Sequence, residues 1–136
     1  MTRIASLAAI SLLLSFSLMA QTTNKSIIDE VSNWISQSDF QSLTNQFDAN
    51  LQMNILEKEN FHSKAQATIL VKDFFKSHPV SAFSVQHKGG SDANLFMIGK
   101  LMSGTDEFRL SIHFRKVAGV DRISFLSIEQ NNTEKK

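Results

Sequence analysis

The sequence of 136 residues contains no cysteine, no tyrosine and only one proline. Without cysteine the chain can form neither a disulfide nor a thiolate nucleophile, so the fold must rely on its hydrophobic core. Lipid attachment through an N-terminal cysteine is excluded for the same reason. Internal repeats and Pro-rich or Gly-rich linkers are also missing, which predicts one undivided domain.

The chain also lacks an excess of either charge. It carries 14 Lys and Arg against 13 Asp and Glu, and one of the basic residues, Arg3, lies in the first few positions. A domain so close to neutral lacks the net positive charge that is typical of proteins that bind the phosphates of nucleic acid. We therefore predict that nucleic acid is not a partner.

The N-terminal segment Met1–Ala20 has the layout of a cleavable signal peptide. Arg3 lies near its start, residues 4–19 carry no charge, and the segment ends on the small residue Ala20. Serines interrupt the apolar run, which barely reaches the length of a membrane span, so we expect no stable membrane anchor. The prediction is export to the periplasm or the medium, with cleavage near Ala20 and a single domain over residues 21–136.

Hydrophobic periodicity predicts three helices in the first half of that domain. The first is capped by Asn24 or Thr23, and the second begins near Ser38 or Asp39. The third begins at Ser63, which together with Gln66 three residues later forms a capping box. Their apolar positions are Ile27, Ile28, Val31, Trp34 and Ile35; Phe40, Leu43 and Phe47; and Ala67, Leu70, Val71, Phe74 and Phe75.

Alternation of apolar and polar residues predicts the strands. One strand covers residues 51–55, and a meander of three or four antiparallel strands follows Pro79. Turns are predicted at Lys88–Asn94, at Gly104-Thr105 and at residues 118–121. A chain in which the helices come first and a meander of strands comes last is typical of an α+β fold. In such a fold the helices pack in the concave side of a curved antiparallel sheet.

This order of elements resembles the cone-shaped nuclear transport factor 2-like fold. A closer resemblance is to a family of small exported bacterial proteins known as domain of unknown function 4783. The segments that carry it are Phe61–Ala67, Phe74-Phe75, His87–Ser91, Ile98-Gly99, Phe108-Arg109 and Ile128-Glu129. The resemblance covers nearly all of the predicted domain and implies its fold and its compartment. None of the segments is a catalytic signature, so no activity follows from it.

Nine side chains are candidates for a binding site within such a cone. Aromatic and methionine side chains can line an apolar cavity, and His or Arg can supply a polar wall. The candidates are Trp34, Met53, Phe61, Phe74, Phe83, His87, Met97, Arg109 and His113. The alternative is that the apolar members are ordinary core residues. Alternation along residues 108–114 also favours an outward direction for Arg109 and His113.

The segment His87–Ser91 has two interpretations. Its glycines could turn backbone amides toward an anion, with His87 and Lys88 alongside, or they could form a hairpin turn. The spacing is not that of a phosphate-binding loop and the segment leads into a strand, which favours the turn. No two histidines stand at i and i+4 on a predicted helix, and we expect neither a metal nor a cofactor.

The central predicted strand has apolar residues on both faces. Its second face, formed by Phe96, Ile98 and Met102, would be exposed on the convex side of the sheet. This predicts a homodimer that pairs through the sheet, which sedimentation at micromolar concentration would test.

Two functions remain open at this point. The first is a non-catalytic exported domain that binds a small apolar ligand or an envelope protein. The second is a cryptic isomerase or dehydratase, with His113 or His87 as its base and Arg109 as an electrostatic helper. Enzymes with the nuclear transport factor 2-like fold, which this chain resembles, commonly use a tyrosine hydroxyl beside the acid or base. This chain contains no tyrosine. The first function is therefore favoured.

Overall fold

The computed structural model describes residues 26–132, which form three helices and six strands. The elements are α1 (Ile27–Ser36), α2 (Phe40–Asn45), β1 (Phe47–Ile55), β2 (Lys58–Ser63), α3 (Lys64–Ser77), β3 (Ala82–Ser91), β4 (Asn94–Ser103), β5 (Asp106–Val117) and β6 (Val120–Gln130). The predicted signal peptide, Met1–Ala20, lies outside the described residues. None of the helices within residues 26–132 has the length and apolar character needed to cross a membrane.

The strands form one sheet in the order β2-β1-β6-β5-β4-β3. The predicted α+β fold, a curved sheet with helices on one side, is confirmed. Strands β3 to β6 are the expected antiparallel meander, but β1 runs parallel to β6, so the sheet is not antiparallel throughout. Register shifts between Val85 and His87 in β3 and between His113 and Phe114 in β5 bend the strands locally.

The hydrophobic core lies between the helices and the inner face of the sheet. Alternate residues of β5 point into it, and α1 and α3 contribute the apolar stripes that their periodicity predicts. The buried side chains include Ile28, Val31 and Ile35 of α1, Ala67, Val71, Phe74 and Phe75 of α3, and Phe108, Leu110, Ile112 and Phe114 of β5. About half of the positions in β5 therefore remain on the outer face.

Side-chain caps set where the helices begin. The Oγ of Ser63 accepts a hydrogen bond from the backbone N–H of Gln66 at 3.3 Å, as predicted. Helix α1 begins later than expected, because Ser26 is its cap in place of Asn24 or Thr23. Asp39 caps α2, and hydrogen bonds from the hydroxyl and then the backbone N–H of Ser42 lower the pKa of the Asp39 carboxyl.

Two parts of the first half differ from the prediction. Phe47, expected on the second helix, is the first residue of β1 because α2 ends at Asn45. Strand β2 was not predicted at all. It joins β1 through a two-residue turn at Leu56 and Glu57, both with positive φ, although neither is a residue that usually marks such a turn.

The hairpin of β3 and β4 also turns later than predicted. Ser91 pairs with Asn94, so the turn residues are Asp92 and Ala93, while the two glycines lie within β3. Gly89 leaves room for the ring of Phe96, since a Cβ there would lie 3.1 Å from that ring. The segment is a paired strand and does not form the loop that the anion-binding alternative requires.

Candidate functional site

A cleft of about 480 Å³ opens between α3 and the β1–β2 hairpin. We call it the α3–β2 cleft. Its lining consists of Met53, Ile55, Lys58, Glu59, Asn60, His62, Leu70, Asp73, Phe74, Ser77 and His78. The apolar members come from β1 and α3, and most of the polar members come from β2 and the C-terminal end of α3.

Strand β2 gives the cleft its polar wall. Lys58, Asn60 and His62 pair with Ile55, Met53 and Leu51 of β1, and therefore lie on the inner side of the sheet with them. The alternate residue Phe61 lies on the outer side and is 72% exposed. The inner side of β2 therefore carries only polar side chains, and its one apolar side chain lies on the outer side.

Helix α3 and strand β1 form the apolar side of the cleft. Met53 is fully buried at its floor, and Phe74 comes from the buried stripe of α3. Leu70 belongs to the same predicted stripe but is 39% exposed, because it lies over the cleft. A ligand in this space would contact hydrocarbon on one side and hydrogen-bonding groups on the other.

His78 closes the end of the cleft at the C-terminus of α3. Its backbone N–H donates to the carbonyl oxygen of Phe74 at 2.9 Å, and its ring Nδ1 lies 3.0 Å from the same oxygen. The imidazole stacks on the ring of Phe74 at a centroid distance of 4.4 Å and makes a T-shaped contact with the ring of Phe108 at a centroid distance of 5.2 Å. The ring is therefore held on two sides.

The predicted apolar candidates fall into different places. Met53 and Phe74 line the α3–β2 cleft, whereas Phe61 borders a neighbouring groove of about 420 Å³ next to the exposed side chains of Ile69 and Leu70. The remaining three are core or core-flanking residues. Met97 is fully buried, and Trp34 and Phe83 are half-buried against the core.

The polar candidates lie on the outer face of the sheet. Arg109 is flanked by Lys100 and Glu129 on the neighbouring strands, and His87 pairs with Ile98. Both line a shallow groove of about 290 Å³ on that face. They do not converge inside the cone, so the isomerase alternative loses the geometry that it requires.

His113 takes part in a row of side chains across the outer face. Strand pairing aligns Gly89, Phe96, His113, Phe125, Gln52 and Phe61 from one edge of the sheet to the other. The His113 ring lies 6.1 Å from Phe96 and 5.0 Å from Phe125 between ring centroids. Phe96 is half-buried, as are Ile98 and Met102. A homodimer through this face stays a prediction.

Sequence reasoning missed most of the cleft's polar residues. Lys58 and Asn60 lie in the unpredicted strand, and neither His62 nor His78 is among the nine candidate side chains. Residues 58–63 contain a single apolar side chain, Phe61, so the sequence carries no strand periodicity there that could have revealed the polar wall. Within residues 26–132, no group of three His, Asp or Glu side chains is placed to hold a metal ion.

The curved sheet, the helices on its inner side and the cleft beside α3 define a nuclear transport factor 2-like α+β domain. Residues 28–129 match the family model described as Domain of unknown function (DUF4783), and the chain belongs to this family. A search of curated proteins finds no match.

Solved structures give the same assignment. A DUF4783 family protein from Bacteroides uniformis is 27% identical with a TM-score of 0.75, covering 79% of this chain and 99% of that one. One from Bacteroides ovatus is 25% identical with a TM-score of 0.71, covering 75% and 93%. An NTF-2 like protein of unknown function from Burkholderia xenovorans shares the fold at 9% identity, with a TM-score of 0.60 and coverage of 80% and 83%.

Proposed function

We propose that this protein is an exported, non-catalytic binding protein whose α3–β2 cleft holds a small, largely apolar molecule with a polar edge. The observation that carries the proposal is the set of polar side chains that β2 places on the inner side of the sheet. Lys58, Asn60 and His62 share that side with the buried Met53 and Leu51 and line the cleft, where Lys58 and Asn60 are exposed and His62 is half-buried. Polar groups directed into a cleft are readily explained if a ligand uses them.

The size and composition of the cleft support a small ligand. Its volume of about 480 Å³ lies within the usual range for small-molecule sites. The hydrocarbon of Met53, Leu70 and Phe74 would supply affinity through burial of apolar surface, and the β2 wall would orient the bound molecule.

Two observations favour binding over catalysis. The chain has no tyrosine, and the bases considered for the isomerase, His87 and His113, lie on the outer face of the sheet. Asp73 lines the cleft but is exposed, so it lacks the burial that prepares a carboxyl group for proton transfer.

Filling the cleft is expected to weaken binding of a small aromatic probe. We expect 2-naphthol to bind wild-type protein at one saturable site, as measured by fluorescence titration. The Leu70→Trp variant should bind it about tenfold more weakly or worse, since the indole would occupy space that the probe needs. Leu70 is already partly exposed, so the exchange should leave the fold intact.

The matched control is Ile69→Trp, one residue earlier on α3. Ile69 is 61% exposed and borders the neighbouring groove but not the cleft. This variant should keep the wild-type affinity. Equal weakening in both variants, or no saturable binding to wild-type protein, would contradict the proposal.

Export is proposed from the charge pattern of residues 1–20. In a bacterial host, the mature protein should be found outside the cytoplasm, and its measured mass should be that of a chain that begins at Gln21. The Leu13→Arg variant places a charge in the apolar run and should accumulate in the cytoplasm at full length. Wild-type protein that retains Met1–Ala20 after fractionation would show that the segment is not a cleaved signal.

A further inference from the structure

We propose that the end of the cleft formed by His78 and Asp73 selects ligands that carry a hydroxyl group or another neutral hydrogen-bond donor. We call this the acceptor end. The inference rests on the proposed ligand-binding function and specifies the chemistry of the polar edge of the ligand. It depends on the tautomer in which the fold holds His78.

The carbonyl oxygen of Phe74 determines that tautomer. A carbonyl oxygen can only accept hydrogen bonds, and the ring Nδ1 of His78 lies 3.0 Å from it. Nδ1 must therefore carry the proton. In the neutral imidazole the other nitrogen, Nε2, is then an acceptor with no proton of its own.

The imidazole ring of His78 cannot easily flip to bring a different edge to the carbonyl oxygen of Phe74. It stacks on Phe74 at an interplanar angle of 17° and meets Phe108 edge to face, and a flip would break the contact between Nδ1 and the carbonyl oxygen. Nε2 forms no hydrogen bond within residues 26–132, and His78 is half-buried in the lining of the cleft. It is thus the one polar atom of this ring that is left for a ligand.

Neighbouring groups strengthen the preference for a donor. The ionised carboxylate of Asp73 also only accepts hydrogen bonds, and the C-terminal end of α3 carries partial negative charge from its free carbonyl groups. The basic groups Lys58 and His62 come from β2 across the cleft, where Glu59 is also present. An anionic group at the acceptor end would meet another acceptor at Nε2, whereas a hydroxyl group can donate to it.

Three naphthalene probes of similar size test this inference: 2-naphthol, 2-methoxynaphthalene and 2-naphthoate. In wild-type protein at neutral pH, the naphthol should bind about five- to tenfold more tightly than its methyl ether, the usual effect of one neutral hydrogen bond. The His78→Phe variant keeps an aromatic ring between Phe74 and Phe108 but has no nitrogen. In this variant the two probes should bind equally, so that the preference for the naphthol is lost.

The matched control is His87→Phe, the same exchange on the outer face of the sheet, which should keep the wild-type preference. A second measurement uses wild-type protein only. Nitrogen-15 NMR should show His78 protonated at Nδ1 and not at Nε2 at neutral pH.

The outcomes separate this inference from the proposed function. Equal binding of naphthol and ether by wild-type protein, tighter binding of naphthoate than of naphthol, or a proton on Nε2 at neutral pH would overturn the inference while leaving the cleft as a binding site. Failure of every probe to bind would overturn both.

Discussion

Replacing Phe108 by alanine is expected to lower the free energy of unfolding by about 3–5 kcal/mol, the usual cost of removing a large aromatic side chain from a core. Phe108 is 1% exposed on the inner face of the sheet. Its ring meets the ring of Phe74 edge to face at 5.3 Å and that of His78 at 5.2 Å. The substitution leaves a cavity under both rings, and urea denaturation followed by circular dichroism would measure the loss.

The matched control is Phe125→Ala on the outer face. Phe125 is half-buried and its closest aromatic neighbour is His113, so its removal should cost about 1 kcal/mol, because less apolar surface returns to water. A loss for Phe108→Ala no larger than that for Phe125→Ala would contradict the assignment of the inner face as the core. Because Phe108 supports the His78 ring, its substitution should also weaken the preference for naphthol over its ether.

The fold was predictable where local pattern and tertiary burial agree. The stripe of α3 and the alternation of β5 each describe one face of an element, and that face is the one that packs. Pairing between distant strands leaves no such local trace. The parallel contact of β1 with β6 joins residues about 75 positions apart, so periodicity alone could not reveal it.

The candidate site was predictable only on its apolar side. Met53 and Phe74 were found because they belong to regular apolar patterns. The polar wall escaped because Lys58, Asn60 and His62 together resemble a surface loop, and the Leu56-Glu57 turn lacks the Asn or Gly that usually marks a hairpin. The polar side chains of β2 can be recognised as part of a site only when it is known which face of the strand is the inner one. Only the pairing of β2 with β1 identifies that face.

Replacing Gly90 by alanine is expected to lower the free energy of unfolding by about 2–4 kcal/mol, from a strained backbone and a steric clash together. Gly90 has a φ of +91°, a region that residues with a side chain rarely adopt. A Cβ at this position would lie 2.1 Å from the backbone oxygen of Asn94. Since the obstructing atom belongs to the backbone of the paired strand, no change of rotamer can relieve the contact.

Gly119→Ala separates the two contributions to that loss. Gly119 also has a positive φ, +77°, in the turn between β5 and β6, but a Cβ there would meet nothing within 4 Å. Its substitution should cost about 1 kcal/mol, from backbone strain alone. The difference between the two variants then measures the clash. Equal losses would mean that residues 90–95 can open at little cost, and amide hydrogen exchange in this hairpin would then be fast even in the wild-type protein.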